Sequence, residues 1–210
     1  MNFCSECGQS VRVGIPDDDN RPRHICDGCD TIHYQNPKIV AGTIPVYGDK
    51  ILLCKRAIEP RLGSWTLPAG FMENEETTAD AAARETWEEA HAKVDIKHLY
   101  VLIDTTVISQ VYMMFLADLP QPEYAAGPES LEVELFSEDE IPWEELAFPT
   151  IEKTLRLYFE DRKKGHYPLH QCEITKADRD RFIAQIKRSE QDSFSADSLA
   201  SLKSPVLSNG

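Results

Sequence analysis

Three carboxylates fall on one turn and a half of a single predicted helix. The stretch Arg84-Glu85-Thr86-Trp87-Glu88-Glu89 lies inside a run with helical composition. Residues three and four apart share a helix face, so Glu85, Glu88 and Glu89 are neighbours. Like charges at that spacing destabilise a bare helix. A divalent cation among them removes the conflict, because hard oxygen ligands suit Mg²⁺ and similar ions. Such ions typically serve phosphate chemistry, where they neutralise charge and activate water. The plain alternative is a solvated acidic face, which charged helix faces usually are.

The surroundings of these residues favour the metal. Gly70 stands six residues before Glu76, and Arg84 eight after it. This resembles the Nudix box, Gly-x5-Glu-x7-Arg-Glu-U-x-Glu-Glu-x-Gly-U, where U is bulky and aliphatic. Gly70, Glu76, Arg84, Glu85, Glu88 and Glu89 all match. Thr86 and Ala92 depart at the two U positions, and His91 replaces the final Gly. That Gly would end the helix in a left-handed conformation, which His tolerates better than most residues do. No ligand position is touched.

The resemblance implies Mg²⁺ (or Mn²⁺) held by Glu85 and Glu89 foremost, with Glu88 sharing the cluster. It also implies the backbone carbonyl of Ala69, freed because Gly70 lets the chain turn sharply. Arg84 is expected to position neighbouring carboxylates through salt bridges. In related enzymes the general base often comes from a loop after the box, which here contains Glu129 and Glu132. Both are candidates, and each is equally read as a solvated loop residue. Arg56 ends a predicted strand and is read either as a phosphate ligand or as a surface cation.

A second cluster sits at the N-terminus. Cys4-Ser-Glu-Cys7 and Cys26-Asp-Gly-Cys29 are separated by 18 residues, inside the spacing of paired zinc knuckles. Gly8 and Gly28 fit the knuckle turns. Two disulfides are the competing reading. Only Met1-Asn2-Phe3 precedes Cys4, too short for a targeting segment, so a cytoplasmic location is expected, where disulfides are uncommon. Four thiolates close a tetrahedral shell, so this Zn²⁺ is expected to be structural. His24 and His33 lie nearby; either could replace a thiolate, but four Cys already suffice, and both are read as ordinary surface residues. Cys54 falls in an apolar run and is expected in the core. Cys172 is isolated.

The elements that must position these groups follow from patterning. Ile39–Val46 and Lys50–Arg56 read as strands joined by a turn at Gly48-Asp49. Thr77–Ala90 reads as the box helix, with Thr77 or Thr78 as N-cap. Val94–Thr106, Gln110–Leu119 and Glu132–Phe136 read as strands. Phe148–Lys163 and 178–188 read as helices. The expected organisation is a zinc ribbon over 1–36, a Nudix domain over 37–165, a helical extension over 166–188 and a flexible tail over 189–210, where seven serines fall in 22 residues. The fold class is α/β: an α/β/α sandwich with a mixed sheet, preceded by the zinc ribbon.

The formal charge of −14, from 22 basic and 36 acidic residues, disfavours non-specific nucleic-acid binding. No apolar run is long enough to span a membrane. The expected partner is therefore a small-molecule nucleotide, with no nucleic acid and no membrane. Nudix proteins are often dimers, so the resemblance also implies a homodimer.

The order of ribbon, His33-Tyr34-Gln35-Asn36-Pro37-Lys38, box, Gly127-Pro128-Glu129-Ser130-Leu131-Glu132 and Asp139-Glu140-Ile141-Pro142 resembles a zinc-ribbon Nudix subfamily. That group includes the FAD diphosphatase of plant plastids and ADP-ribose pyrophosphatases. FAD is the first expected substrate and ADP-ribose the second. NADH pyrophosphatase is an alternative, against which the SQPWPFPxS stretch of that group is missing. A non-catalytic nucleotide sensor is another, against which every box carboxylate is present.

Overall fold

The computed structural model describes residues 1–201, with side-chain surroundings to residue 188. Two compact units divide at Pro37/Lys38.

The first unit holds a three-stranded antiparallel sheet: β1 (Val11–Gly14), β2 (Arg23–Cys26) and β3 (Ile32–His33). The two CxxC turns that flank it share one geometry. Gly8 N donates to Cys4 O at 2.9 Å, and Asp30 N donates to Cys26 O at 3.0 Å. Glu6 N and Gly28 N each reach the first sulfur of their own turn at 3.4 Å. The residue after each turn is left-handed, Gly8 at φ 74° and Asp30 at φ 57°. The second turn therefore places an aspartate, not Gly28, at the position where positive φ is required.

The second unit is built on an eight-stranded mixed sheet. Its strands are β4 (Lys38–Tyr47), β5 (Lys50–Arg56), β6 (Trp65–Thr66), β7 (Ala69–Phe71), β8 (Asp95–Thr105), β9 (Gln110–Asp118), β10 (Ser130–Phe136) and β11 (His170–Glu173). The order is β10-β5-β4-β9-β8-β11, with β6 on β5 and β7 on β4. β4 and β5 pair only at Val46↔Ile51 and Tyr47↔Lys50. Beyond that hairpin they diverge, and β6 and β7 take up their free edges.

Helices cover both faces. Strand residues alternate between faces, and β4 and β9 show it. Ala41 and Phe115 pack with Ala81 and Ala82 of α1 (Thr78–Ala90). Ile44 and Met114 pack with Ile151 and Leu155 of α2 (Pro149–Lys164). Burying each large side chain of that α2 stripe contributes about 1.5–3 kcal/mol. A third helix, α3, spans Lys176–Ser201. It is longer than the expected 178–188, and the tail expected over 189–210 begins within it; residues 202–210 lie outside the described residues. β11, parallel to β8 at His170↔Val101 through Glu173↔Asp104, was not expected from sequence. Among the described residues no helix is long and apolar enough to cross a membrane.

Candidate active site and zinc centre

The helix that carries the carboxylates is fixed at both ends. Thr77 caps its start: Asp80 N donates to Thr77 Oγ1 at 3.1 Å, and Asp80 returns a carboxylate to the Thr77 N–H at 3.4 Å. At the other end His91 adopts φ 46°, and its N–H meets Trp87 O at 2.8 Å. His91 thus supplies the left-handed stop expected of it.

Thr86, the polar residue at an aliphatic position, is fully buried. Its hydroxyl meets Thr43 Oγ1 at 2.6 Å and donates to Ala82 O at 2.7 Å. A hydroxyl pair on α1 and β4 replaces an apolar contact, and neither partner is left unsatisfied.

Arg84 organises the acidic side of the cleft. Its Nε and Nη2 grip Glu76 at 3.0 and 2.9 Å. Nη1 donates to Glu85 Oε1 at 2.8 Å and Glu88 Oε2 at 2.9 Å, and Nη2 donates to Phe71 O at 3.2 Å. These bonds hold the Glu76 carboxyl down at about 2, and the cation is stabilised further above its ordinary range.

Glu89 lies deeper, and no ion pair reaches it among the described residues. Its Oε2 accepts from Ala69 N at 3.4 Å. Burial, then the charge of Glu85, pushes its carboxyl up to about 8. Glu85 is also raised, chiefly by burial and against the pull of Arg84. Glu129 adds its negative field to both.

The strand β7 completes this corner. Thr43 N donates to Pro68 O and Met72 N to Ile39 O, so Gly42↔Ala69 is a non-hydrogen-bonded pair of the antiparallel ladder. The backbone groups of Ala69 therefore turn away from β4, and its carbonyl is not used by that ladder. Gly70 is not responsible in the way expected, because it is not left-handed. What it supplies is room: a Cβ there would lie 2.3 Å from the Glu85 carboxyl carbon.

A cleft of about 900 Å³ gathers these groups. Glu85, Glu88, Glu89, Arg84, Ala69, Arg56 and Glu129 all line it. So do four rings that were not singled out from sequence: Phe71, Trp87, Tyr112 and Phe148. Phe71 and Trp87 are about half exposed. Only the location of Trp87 on the box helix could have flagged it. Arg56 stacks over Phe148 at 5.2 Å, and its Nε donates to Pro60 O at 2.9 Å. Glu132 is not brought to the cleft; it pairs with Lys55 at 3.3 Å on the sheet edge.

The donor set fits a divalent cation. Hard oxygens crowd one wall, and a cation among them would offset the burial and the Glu85 charge that oppose ionisation of Glu89. The four thiols are more tightly gathered: among the described residues they alone form a group of three or more such ligands, all within 4.8 Å. Cys4 and Cys29 sulfurs are 3.7 Å apart, and those of Cys7 and Cys26 3.4 Å. A disulfide needs about 2.05 Å, whereas sulfurs sharing a tetrahedral Zn²⁺ at about 2.3 Å stand about 3.8 Å apart. His33, read from sequence as a surface residue, places Nε2 3.3 Å from Cys4 Sγ. That is hydrogen-bonding distance from the sulfur, and the four-cysteine group does not include His33. Cys54 is buried in β5, and burial raises its thiol.

A box of carboxylates at the mouth of a split mixed sheet defines the class, an α/β phosphoanhydride hydrolase. The NUDIX domain profile matches residues 36–158, and the Nudix N-terminal zinc-ribbon profile matches residues 2–35. The chain belongs to the Nudix hydrolase family. It is 53% identical to a NUDIX hydrolase from Nitrosomonas europaea of known crystal structure, with TM-score 0.82, covering 84% of this chain and all of that one. An ADP-ribose pyrophosphatase from Methanocaldococcus jannaschii is 33% identical over 122 residues, 55% of this chain and 69% of that protein. The NAD-capped RNA hydrolase NudC of Edwardsiella ictaluri is 30% identical over 163 residues, 76% of this chain. The match spans 59% of that protein's length.

Proposed function

We propose that this protein hydrolyses the diphosphate bond of a nucleoside diphosphate derivative, with FAD preferred and ADP-ribose second. FAD would give FMN and AMP; ADP-ribose would give AMP and ribose 5-phosphate. The observation that carries the reading is one cleft lined by both a carboxylate cluster and half-exposed aromatic rings. The first suits a diphosphate and the second a flat heterocycle.

Mg²⁺ or Mn²⁺ held by Glu85, Glu88, Glu89 and the Ala69 carbonyl would neutralise the diphosphate and acidify water. Arg84 fixes Glu85 and Glu88 in place through its paired N–H groups. Arg56, which also lines the cleft, supplies a cation for a phosphate oxygen. Glu129 takes the proton of the attacking water: it lines the cleft, whereas Glu132 does not. Water oxygen joins one phosphorus as its bridging P–O bond breaks, and each half leaves as a monophosphate. Trp87 and Phe71 offer ring faces to a base.

A second reading is NADH or an NAD-capped RNA, favoured by the similarity to NAD-capped RNA hydrolases of the NudC type. The net charge of −14 weighs against a polyanionic partner.

The test is a comparison of kcat/KM for FAD, ADP-ribose, NADH and a short NAD-capped RNA with Mg²⁺ present. Run in ¹⁸O water, label should enter one monophosphate product only. Glu129→Gln should lower kcat on the order of a hundredfold with KM largely kept, and Glu132→Gln should not. Turnover confined to nucleoside triphosphates, with pyrophosphate released, would refute the dinucleotide reading.

A further inference from the structure

Beside the catalytic cleft lies a second cavity of about 410 Å³, and α3 forms one of its walls. We propose that it receives the planar ring system of one substrate half and selects a ring with a hydrocarbon edge, as in a flavin, over a sugar. This rests on the dinucleotide reading above and names the substrate class within it.

Position is the first argument. Pro60, Ile108, Tyr112 and Phe148 line both this cavity and the carboxylate cleft, so the two spaces share a wall. A ligand whose diphosphate sits among the carboxylates has the cavity next to it.

Lining chemistry is the second. Val107, Ile108, Phe148, Ile174, Phe182 and Ile183 supply an apolar surface. Val107, Ile108 and Ile183 are 41%, 47% and 38% exposed, a cost that packing among the described residues does not recover. Only Thr105, Tyr112 and Thr150 offer neutral polar groups. Ribose hydroxyls placed here would lose water and find few partners. Adenine carries nitrogen around most of its perimeter and meets the same difficulty. A fused ring with a methylated carbocyclic edge would bury that edge and spend the few polar groups on its other side.

Charge is the third. Arg179 and Lys187 line the cavity, and no acidic residue does among its described lining residues, in a chain with 36 of them. A basic wall suits the electron-rich carbonyl edge of a flavin ring. The wall comes from α3, beyond the 36–158 stretch matched by the NUDIX profile, so it is an addition to the common domain.

The experiment uses the full chain. FMN binding is followed by fluorescence in EDTA, with AMP and ribose 5-phosphate as competitors, for the wild type, Ile183→Asp, Val107→Asp and Ile183→Met. Both altered positions are partly exposed, and an unchanged circular dichroism spectrum checks folding. FMN affinity should fall at least tenfold in each aspartate variant and be largely kept in Ile183→Met. Ribose 5-phosphate should compete least. In turnover, the ratio of KM for FAD to KM for ADP-ribose should rise at least tenfold in the aspartate variants. No FMN binding by the wild type, or equal affinity in all four proteins, overturns the assignment. FAD turnover with an unchanged KM ratio overturns it while leaving the hydrolase reading intact. Loss of FMN binding in the aspartate variants of a protein that cleaves no dinucleotide would sustain the cavity and sink the substrate reading instead.

Discussion

At the residue scale, position 70 shows how little space the catalytic corner leaves. An alanine methyl there would meet the far end of the Glu85 side chain at 2.3–2.4 Å. That carboxyl can swing away, so Gly70→Ala should keep the fold and misplace a ligand. We expect kcat to fall on the order of tenfold to a hundredfold, with the unfolding temperature nearly unchanged. Gly127 contrasts with it: a Cβ would lie 1.7 Å from the Glu88 carbonyl oxygen, which is backbone and cannot step aside. For the ligands themselves, Glu89→Gln and Glu85→Gln should each lower kcat about a hundredfold or more, because a metal ligand contributes several kcal/mol at the transition state. Calorimetry should find Glu89→Gln no less stable than wild type. It removes a carboxyl whose charged form burial and Glu85 both oppose. Near-wild-type turnover of both variants would sink the mechanism.

At the element scale, Asp161 ties three elements together. From α2 it accepts a hydrogen bond from Tyr100 Oη of β8 at 2.9 Å and meets His170 Nε2 of β11 at 2.5 Å. Burial raises its carboxyl, but the His170 and Tyr100 bonds outweigh it, and the net position is below the ordinary range. A depressed carboxyl contributes stability that is complete above its unfolded value near 3.8 and is lost as pH falls through the lower folded value. Asp161→Asn should therefore cost about 2 kcal/mol at neutral pH, and the difference from wild type should shrink below pH 4. A pH-independent difference in urea midpoints would count against the network. The elements themselves differ in legibility. α1 could be read from sequence because Thr77, Asp80 and the alanine stripe all state the same helix. β11 is only four residues, His-Gln-Cys-Glu, with neither alternation nor β-branching, so its pairing is a tertiary fact. Which of Glu129 and Glu132 lines the cleft was closed to sequence for a different reason. A bulge between Ser130 and Glu132 breaks the strand's alternation, and only the folded register shows which carboxylate faces the cleft.

At the scale of the whole molecule, the proposed function and the four-cysteine group predict two metals with separate duties. Elemental analysis should find about one zinc per chain, lost in Cys4→Ser or Cys29→Ser, since a thiolate site contributes folding energy directly. A zinc-free protein with paired disulfides among Cys4, Cys7, Cys26 and Cys29 would overturn that assignment. The four-cysteine group and the box carboxylates were legible because each is a dense sequence motif, and the cavity closed by α3 was not, because its walls come from distant segments. The last strand carries a practical consequence. β11 covers Val101–Asp104 on the outer edge of β8, where an eleven-residue strand would otherwise end the sheet. A chain cut back to the end of the NUDIX profile at 158 would bare that edge and remove Phe159–Lys164, the last six residues of α2. Unpaired strand edges recruit other chains, so such a fragment should be prone to self-association at concentrations where the full chain stays dispersed.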